Sequence, residues 1–164
     1  MMHTLRQILL LAALIVSVTA SAQMPVVAST NQASLLASSN PQIAANKRLV
    51  YDFWREVLEG GHLELTDKYL TESYIQHNPK VPTGRAGFIA FFSKFAQPKP
   101  IAAHIQAPLI SIVAEGDIVV LSFVSELPDP NSPSKTYTTT WFDMFRVEGH
   151  KIAEHWDSAT KDRE

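Results

Sequence analysis

At Pro100 the hydrophobic period of this chain changes, and that switch limits its fold more than any other feature. Upstream, Ile43, Leu49, Val50, Phe53, Trp54, Val57 and Leu58 recur at helical spacing until Gly60-Gly61 stops them. Asn40 can cap this helix, and Pro41 suits its first turn. A shorter helix is predicted from Leu63 to Leu70. Tyr74 to Pro82 reads as extended or irregular, because Pro79 and Pro82 disfavour helix in the residue before each. Thr83 is the expected cap of a third helix, Arg85 to Phe95. Downstream, Ile101 to Leu127 is apolar and β-branched, broken at Glu115-Gly116-Asp117, which predicts two strands and a tight turn. Asn131 to Ser134 reads as a loop. Lys135 to Ala159 reads as a second strand pair turning at Glu148-Gly149-His150. Helices followed by antiparallel hairpins predict an α+β domain, with three N-terminal helices packed on one face of a curved antiparallel sheet.

The first 22 residues are expected to stand outside that fold. Arg6, the apolar run Ile8 to Val18 and the small residues Ala20 and Ala22 have the order of a secretory signal peptide. The run is about 11 residues, short of the ~20 that span a bilayer, so no stable membrane insertion is expected after cleavage. A secreted or periplasmic protein is the expectation. Residues 23–39 are rich in Ser, Ala, Gln and Asn and carry no charge, as a flexible linker would. The domain is expected over residues 40–164. Of the 164 residues 46% are hydrophobic, enough for a core, and the net charge of −2 gives no reason to expect nucleic acid as a partner. There is no cysteine, so disulfides, thiol catalysis and thiolate metal sites are excluded.

Candidate chemistry gathers at two places. In "YIQHNPKVPTG", Gln76, His77 and Asn78 stand side by side ahead of Pro79, either shaping a surface turn or lining a pocket. Near the end, strand alternation puts Trp141, Asp143 and Phe145 on one face. Asp143 among large aromatics is either ion-paired or functionally tuned, since desolvation raises a carboxyl pKa. Ala153, His155 and Asp157 share a face of the next strand. A His and an Asp two residues apart suit proton transfer, or they form a solvated surface pair. Glu154 can instead pair with Arg146. His104, on one expected strand face with Gln106, is a third pocket group or an exposed residue. His62 and His150 fall in expected loops. His77, His104, His155, Asp143 and Asp157 could in principle assemble a metal site, but none has the spacing of a metal motif, and no metal is expected. No G-x-S-x-G elbow is present, and no Gly-rich phosphate loop exists among six glycines.

"YIQHNPKVPTG", the following "FIAFF" and the late "DMFRVEGHKIAEHWD" together resemble the SnoaL-like polyketide cyclase family, over about Asn40 to Asp157. One residue is inserted at Gly149-His150-Lys151, where the family commonly has Gly-Lys. The resemblance implies the cone-shaped α+β fold of the nuclear-transport-factor-2-like superfamily, with helices and sheet enclosing a conical apolar pocket. It implies acid/base chemistry by a carboxylic acid without metal or organic cofactor, of aldol cyclase, isomerase or dehydratase type, on a small apolar carbonyl compound. Asp143, Asp157, His155 and His77 would be the catalytic candidates. Gln76, Asn78, His104, Trp141 and Phe145 would bind substrate. A homodimer is expected. An exported, non-catalytic ligand-binding module and a dimeric structural protein are the alternatives.

Overall fold

In a computed structural model, residues 23–161 are described; the expected leader, residues 1–22, lies outside them. The stretch expected to be a flexible tether instead lies along the fold. Val26 N–H donates to Thr138 Oγ1 at 2.7 Å and Ser29 N–H to Leu109 O at 2.8 Å. After a short helix α1 (Gln32–Leu35), Leu36 is buried. Gln32 is the clamp. Its amide nitrogen donates to Ile105 O at 2.8 Å, and its oxygen accepts from Ile105 N–H at 3.1 Å and from Tyr51 Oη at 2.7 Å. Polar side chains that read as solvated in sequence satisfy backbone groups across the domain.

Asn40 opens α2 (Pro41–Phe53) as expected, its side chain accepting from Gln42 and Ile43 N–H. Val50, Tyr51, Phe53 and Val57 form the buried stripe. Phe53 sits at its centre, with the rings of Tyr69, Phe88 and Phe145 at 5.9, 5.9 and 6.1 Å. The last turns, Trp54–Glu59, widen into a π-helix closed by Gly60 N–H on Arg55 O. Gly60 is required there, because a Cβ would collide with the Glu56 carbonyl. The second expected helix forms as a 3-10 turn (Leu63–Leu65) followed by α3 (Thr66–Tyr69). The region expected as irregular begins with a strand, β1 (Leu70–Gln76). Helix α4 (Arg85–Phe92) is shorter than expected and starts from Gly84 rather than Thr83. Thr83 Oγ1 is used elsewhere, accepting from Gln76 N–H at 3.0 Å.

Four strands follow: β2 (Leu109–Glu115), β3 (Ile118–Asp129), β4 (Ser132–Glu148) and β5 (Lys151–Asp157). The sheet order is β1-β5-β4-β3-β2. The expected α+β arrangement of helices on a curved sheet is observed. Strands β2 to β5 pair antiparallel, and β1 adds to the β5 edge in parallel. The β4–β5 loop is two residues long, with φ of 54° at Gly149 and 62° at His150. Positive φ at both central positions is the pattern of a type I′ hairpin turn. Residues 101–108, expected as the start of a strand, are irregular. Glu59 holds them there by accepting Gln106 and Ala107 N–H at 2.7 and 2.8 Å. Among the described residues no helix is long and apolar enough to cross a membrane.

The Gln32 clamp sets a clear expectation. Gln32→Ala leaves buried polar groups of Tyr51 and Ile105 short of partners, so it is expected to destabilise the domain by about 1–3 kcal/mol. Chemical denaturation measures it; an unchanged midpoint would show the strap to be a loose tether after all.

Candidate functional site

Three neighbouring strands carry the polar groups to one level. Gln76 on β1 stands beside His155 on β5, and across β5 and β4 Asp157 faces Asp143 while His155 faces Phe145. The residues of β1 alternate, so Tyr74 and Gln76 share the face that looks under the helices. Phe53, Trp54 and Leu58 from the main helix and its π turn, and Phe88 and Phe92 from α4, close the space from above. The result is a cavity of about 280 Å³, with Tyr74, Gln76, Asn78, Asp143, His155 and Asp157 as its polar lining.

Hydrogen bonding fixes the protons. The backbone N–H of Asn78 can only donate, and it points at a side-chain atom of Gln76 at 3.0 Å, so that atom is the carbonyl Oε1. The same oxygen lies 2.8 Å from His155 Nδ1, so Nδ1 must carry a proton. His155 Nε2 then faces Asp143 Oδ1 at 3.0 Å. That contact needs a further proton, on the imidazole or on the carboxyl. The other amide end, Gln76 Nε2, donates to Tyr74 Oη at 3.1 Å, leaving the Tyr74 proton to be donated into the cavity.

The two carboxyls differ. Asp157 accepts at both oxygens, from Asn78 Nδ2 at 2.6 Å and from Ala159 N–H at 2.9 Å. The Asp143 side chain is only 5% exposed, and its Oδ2 has no hydrogen-bond partner. Burial pushes the Asp143 carboxyl above its usual range. His155 opposes that shift by hydrogen bond and charge, the negative charge of Asp157 adds to it, and the Trp141 indole pulls weakly the other way. The Tyr74 hydroxyl is pushed up too, chiefly by burial and then by the charges of Asp157 and Asp143, so it stays protonated.

Of the residues singled out in the sequence, Gln76, Asn78, Asp143, Phe145, His155 and Asp157 come together. His77, Trp141 and His104 do not line the cavity. His77 follows the end of β1 and points to the opposite face of the sheet, where it stacks on Trp156 at 4.9 Å and its Nε2 meets Glu154 Oε1 at 2.8 Å. Glu154 also accepts from Arg146 Nε at 2.8 Å, the cross-hairpin pairing expected from sequence. Trp141 stands on the strand face of Asp143 but two residues further back, paired in register with Phe123. His104 is exposed in the irregular 101–108 segment, its Nδ1 3.5 Å from Tyr51 Oη. Tyr74 was missed. Alternation along β1 would have found it, had Tyr74 to Pro82 not read as irregular. Asp143, His155 and Asp157, with donor atoms all within 4.8 Å of one another, are the set that could hold a divalent cation. Cation binding there would displace the His155–Asp143 hydrogen bond.

The chain matches the SnoaL-like domain family over residues 50–155. Its fold is similar to that of a candidate polyketide cyclase from Acidithiobacillus ferrooxidans, with a TM-score of 0.50 and 21% identity over 74% of this chain and 89% of that one. A candidate SnoaL-like polyketide cyclase from Jannaschia sp. CCS1 gives a TM-score of 0.51 at 16% identity, over 74% and 91% of the two chains. These likenesses show a shared fold. No curated protein matches the chain.

The raised Asp143 carboxyl has a signed effect on stability. The folded state holds its proton to a higher pH than an unfolded chain does, so this group's contribution falls as pH rises from about the ordinary carboxyl value of 3.8 through the folded value. Asp143→Asn lacks that loss. Its stability relative to the parent is expected to improve as pH rises through this window, measured by denaturant titration at a series of pH values. A relative decline would contradict the burial argument.

Proposed function

The chain belongs to the SnoaL-like domain family, and from that premise and the cavity's geometry we propose that it is an acid/base enzyme acting on a small enolisable carbonyl compound. One observation carries the reading: a carboxyl pushed up by burial, with an unpartnered buried oxygen, lines an apolar hollow beside a hydroxyl that keeps its proton. A base poised above the usual carboxyl range suits proton abstraction near neutral pH.

The assignments follow from the hydrogen bonds. At rest the Asp143–His155 pair holds one proton between Oδ1 and Nε2, besides the one fixed on Nδ1. Asp143 Oδ2 takes the α-proton of the substrate, and the electron pair of that C–H bond moves into the enolate. Tyr74 O–H donates to the enolate oxygen. Asp143 then returns its proton, to another carbon in an isomerisation, to the new alkoxide in an aldol closure, or to a leaving hydroxyl in a dehydration. Asp157, held by Asn78 and Ala159, supplies fixed negative charge that keeps Asp143 basic. Gln76 holds the His155 tautomer.

All three reaction types begin with the same abstraction, so deuterium exchange at the α-carbon of a neutral ring ketone reads it without knowledge of the product. Asp143→Asn is expected to lower that exchange by roughly 10²–10⁴-fold, the usual range for general acid–base catalysis. Tyr74→Phe, which loses one oxyanion donor, is expected to lower it by about 10²–10³-fold. Exchange that survives in Asp143→Asn, folded by circular dichroism, removes Asp143 as the base. A ligand that binds the parent protein yet never exchanges would leave a binding module.

A further inference from the structure

The charge and size of the cavity narrow its substrate further. No lysine or arginine lines it, while two carboxyls do. Its single basic group, His155, is already engaged by Asp143 and Gln76. A substrate carboxylate, phosphate or sulfate would meet negative charge in a desolvated site with no cation to balance it. The polar groups lie together on the strands, and the helices contribute only Phe53, Trp54, Leu58, Phe88 and Phe92 to the lining. A ligand that fits therefore has one polar end and a hydrocarbon body, and aromatic walls favour flat rings. The volume of about 280 Å³ is at the lower edge of the ~300–1,000 Å³ typical of ligand pockets. At protein-like packing density it holds roughly ten to fifteen non-hydrogen atoms, or one or two fused rings.

We infer, resting on the acid/base reading above, that the substrate of this site is an uncharged mono- or bicyclic ketone whose carbonyl and α-carbon form its only polar end. Tetracyclic ketones are too large for the cavity, and acids of the right size carry the wrong charge.

Calorimetric titration at pH 7.5 tests this with 2-indanone, 2-tetralone, the 6-carboxylate of 2-tetralone and a tetracyclic ketone. The two neutral ketones are expected to bind, and the carboxylate to bind about tenfold or more weakly. The tetracyclic ketone is expected not to compete. Leu58→Trp and Phe92→Trp each fill the hollow from a different helix. Whichever variant keeps the parent's melting temperature is expected to lose 2-tetralone binding; if neither does, the parent's ligand ranking decides. The inference is overturned if the carboxylate binds as tightly as its neutral parent, if the tetracyclic compound binds more tightly, if neither small ketone binds, or if a folded filling variant binds 2-tetralone unchanged. Deuterium exchange followed in the same samples separates the two readings. Binding in the expected order without exchange sinks the acid/base step and leaves the ligand class standing. Exchange that favours the carboxylate does the reverse.

Discussion

One carbonyl oxygen organises the polar half of this protein. Gln76 Oε1 accepts from a backbone N–H and from His155 Nδ1 at the same time. The backbone donor cannot reverse its role, so the amide cannot flip without stranding a donor, and the imidazole cannot change tautomer without losing its partner. In a desolvated setting such a loss costs on the order of 1–3 kcal/mol. The effect reaches Asp143 through Nε2 and Tyr74 through the other end of the same amide. A buried carboxyl, a ring and a phenol thus inherit their protonation from one main-chain hydrogen.

The fold supplies what that arrangement needs. A carboxyl on an antiparallel strand has a fixed direction, and register places Asp157 and His155 on the neighbouring strand at the same level as Asp143 and Phe145. Strand β1 completes the row by joining the β5 edge in parallel, which brings Gln76 level with His155. Aromatic packing around Phe53 excludes water from above, and exclusion of water is what lifts Asp143. Stability and reactivity share the same rings.

The parts legible in sequence were those whose pattern repeats. The main helix, the β4–β5 hairpin and the shared face of Asp143 and Phe145 follow from periodicity, and the late motif pointed to the family. The failures each have a local cause. Residues 101–108 are β-rich in composition, yet Glu59, far away in the chain, claims the N–H groups a strand partner would have used, and His104 went with them. His77 was grouped with Gln76 and Asn78 by adjacency, but alternation sends it to the opposite face. Tyr74 stayed hidden because two prolines after it masked the strand before it. Residues 23–39 looked loose because hydrogen bonds between remote partners leave no periodic trace.

The π segment at Trp54–Glu59 also reaches beyond its own six residues. A wide turn holds one residue more than an ordinary helical turn spanning the same rise. That surplus residue changes the angular phase of everything after Phe53, including Leu58 in the roof and Glu59, which grips both the Trp54 indole and the 104–107 backbone. Loss of a single residue there would restore ordinary winding and rotate roof and grip together. The calibre of the hollow is therefore written partly in a backbone count, where no inspection of side-chain types would find it.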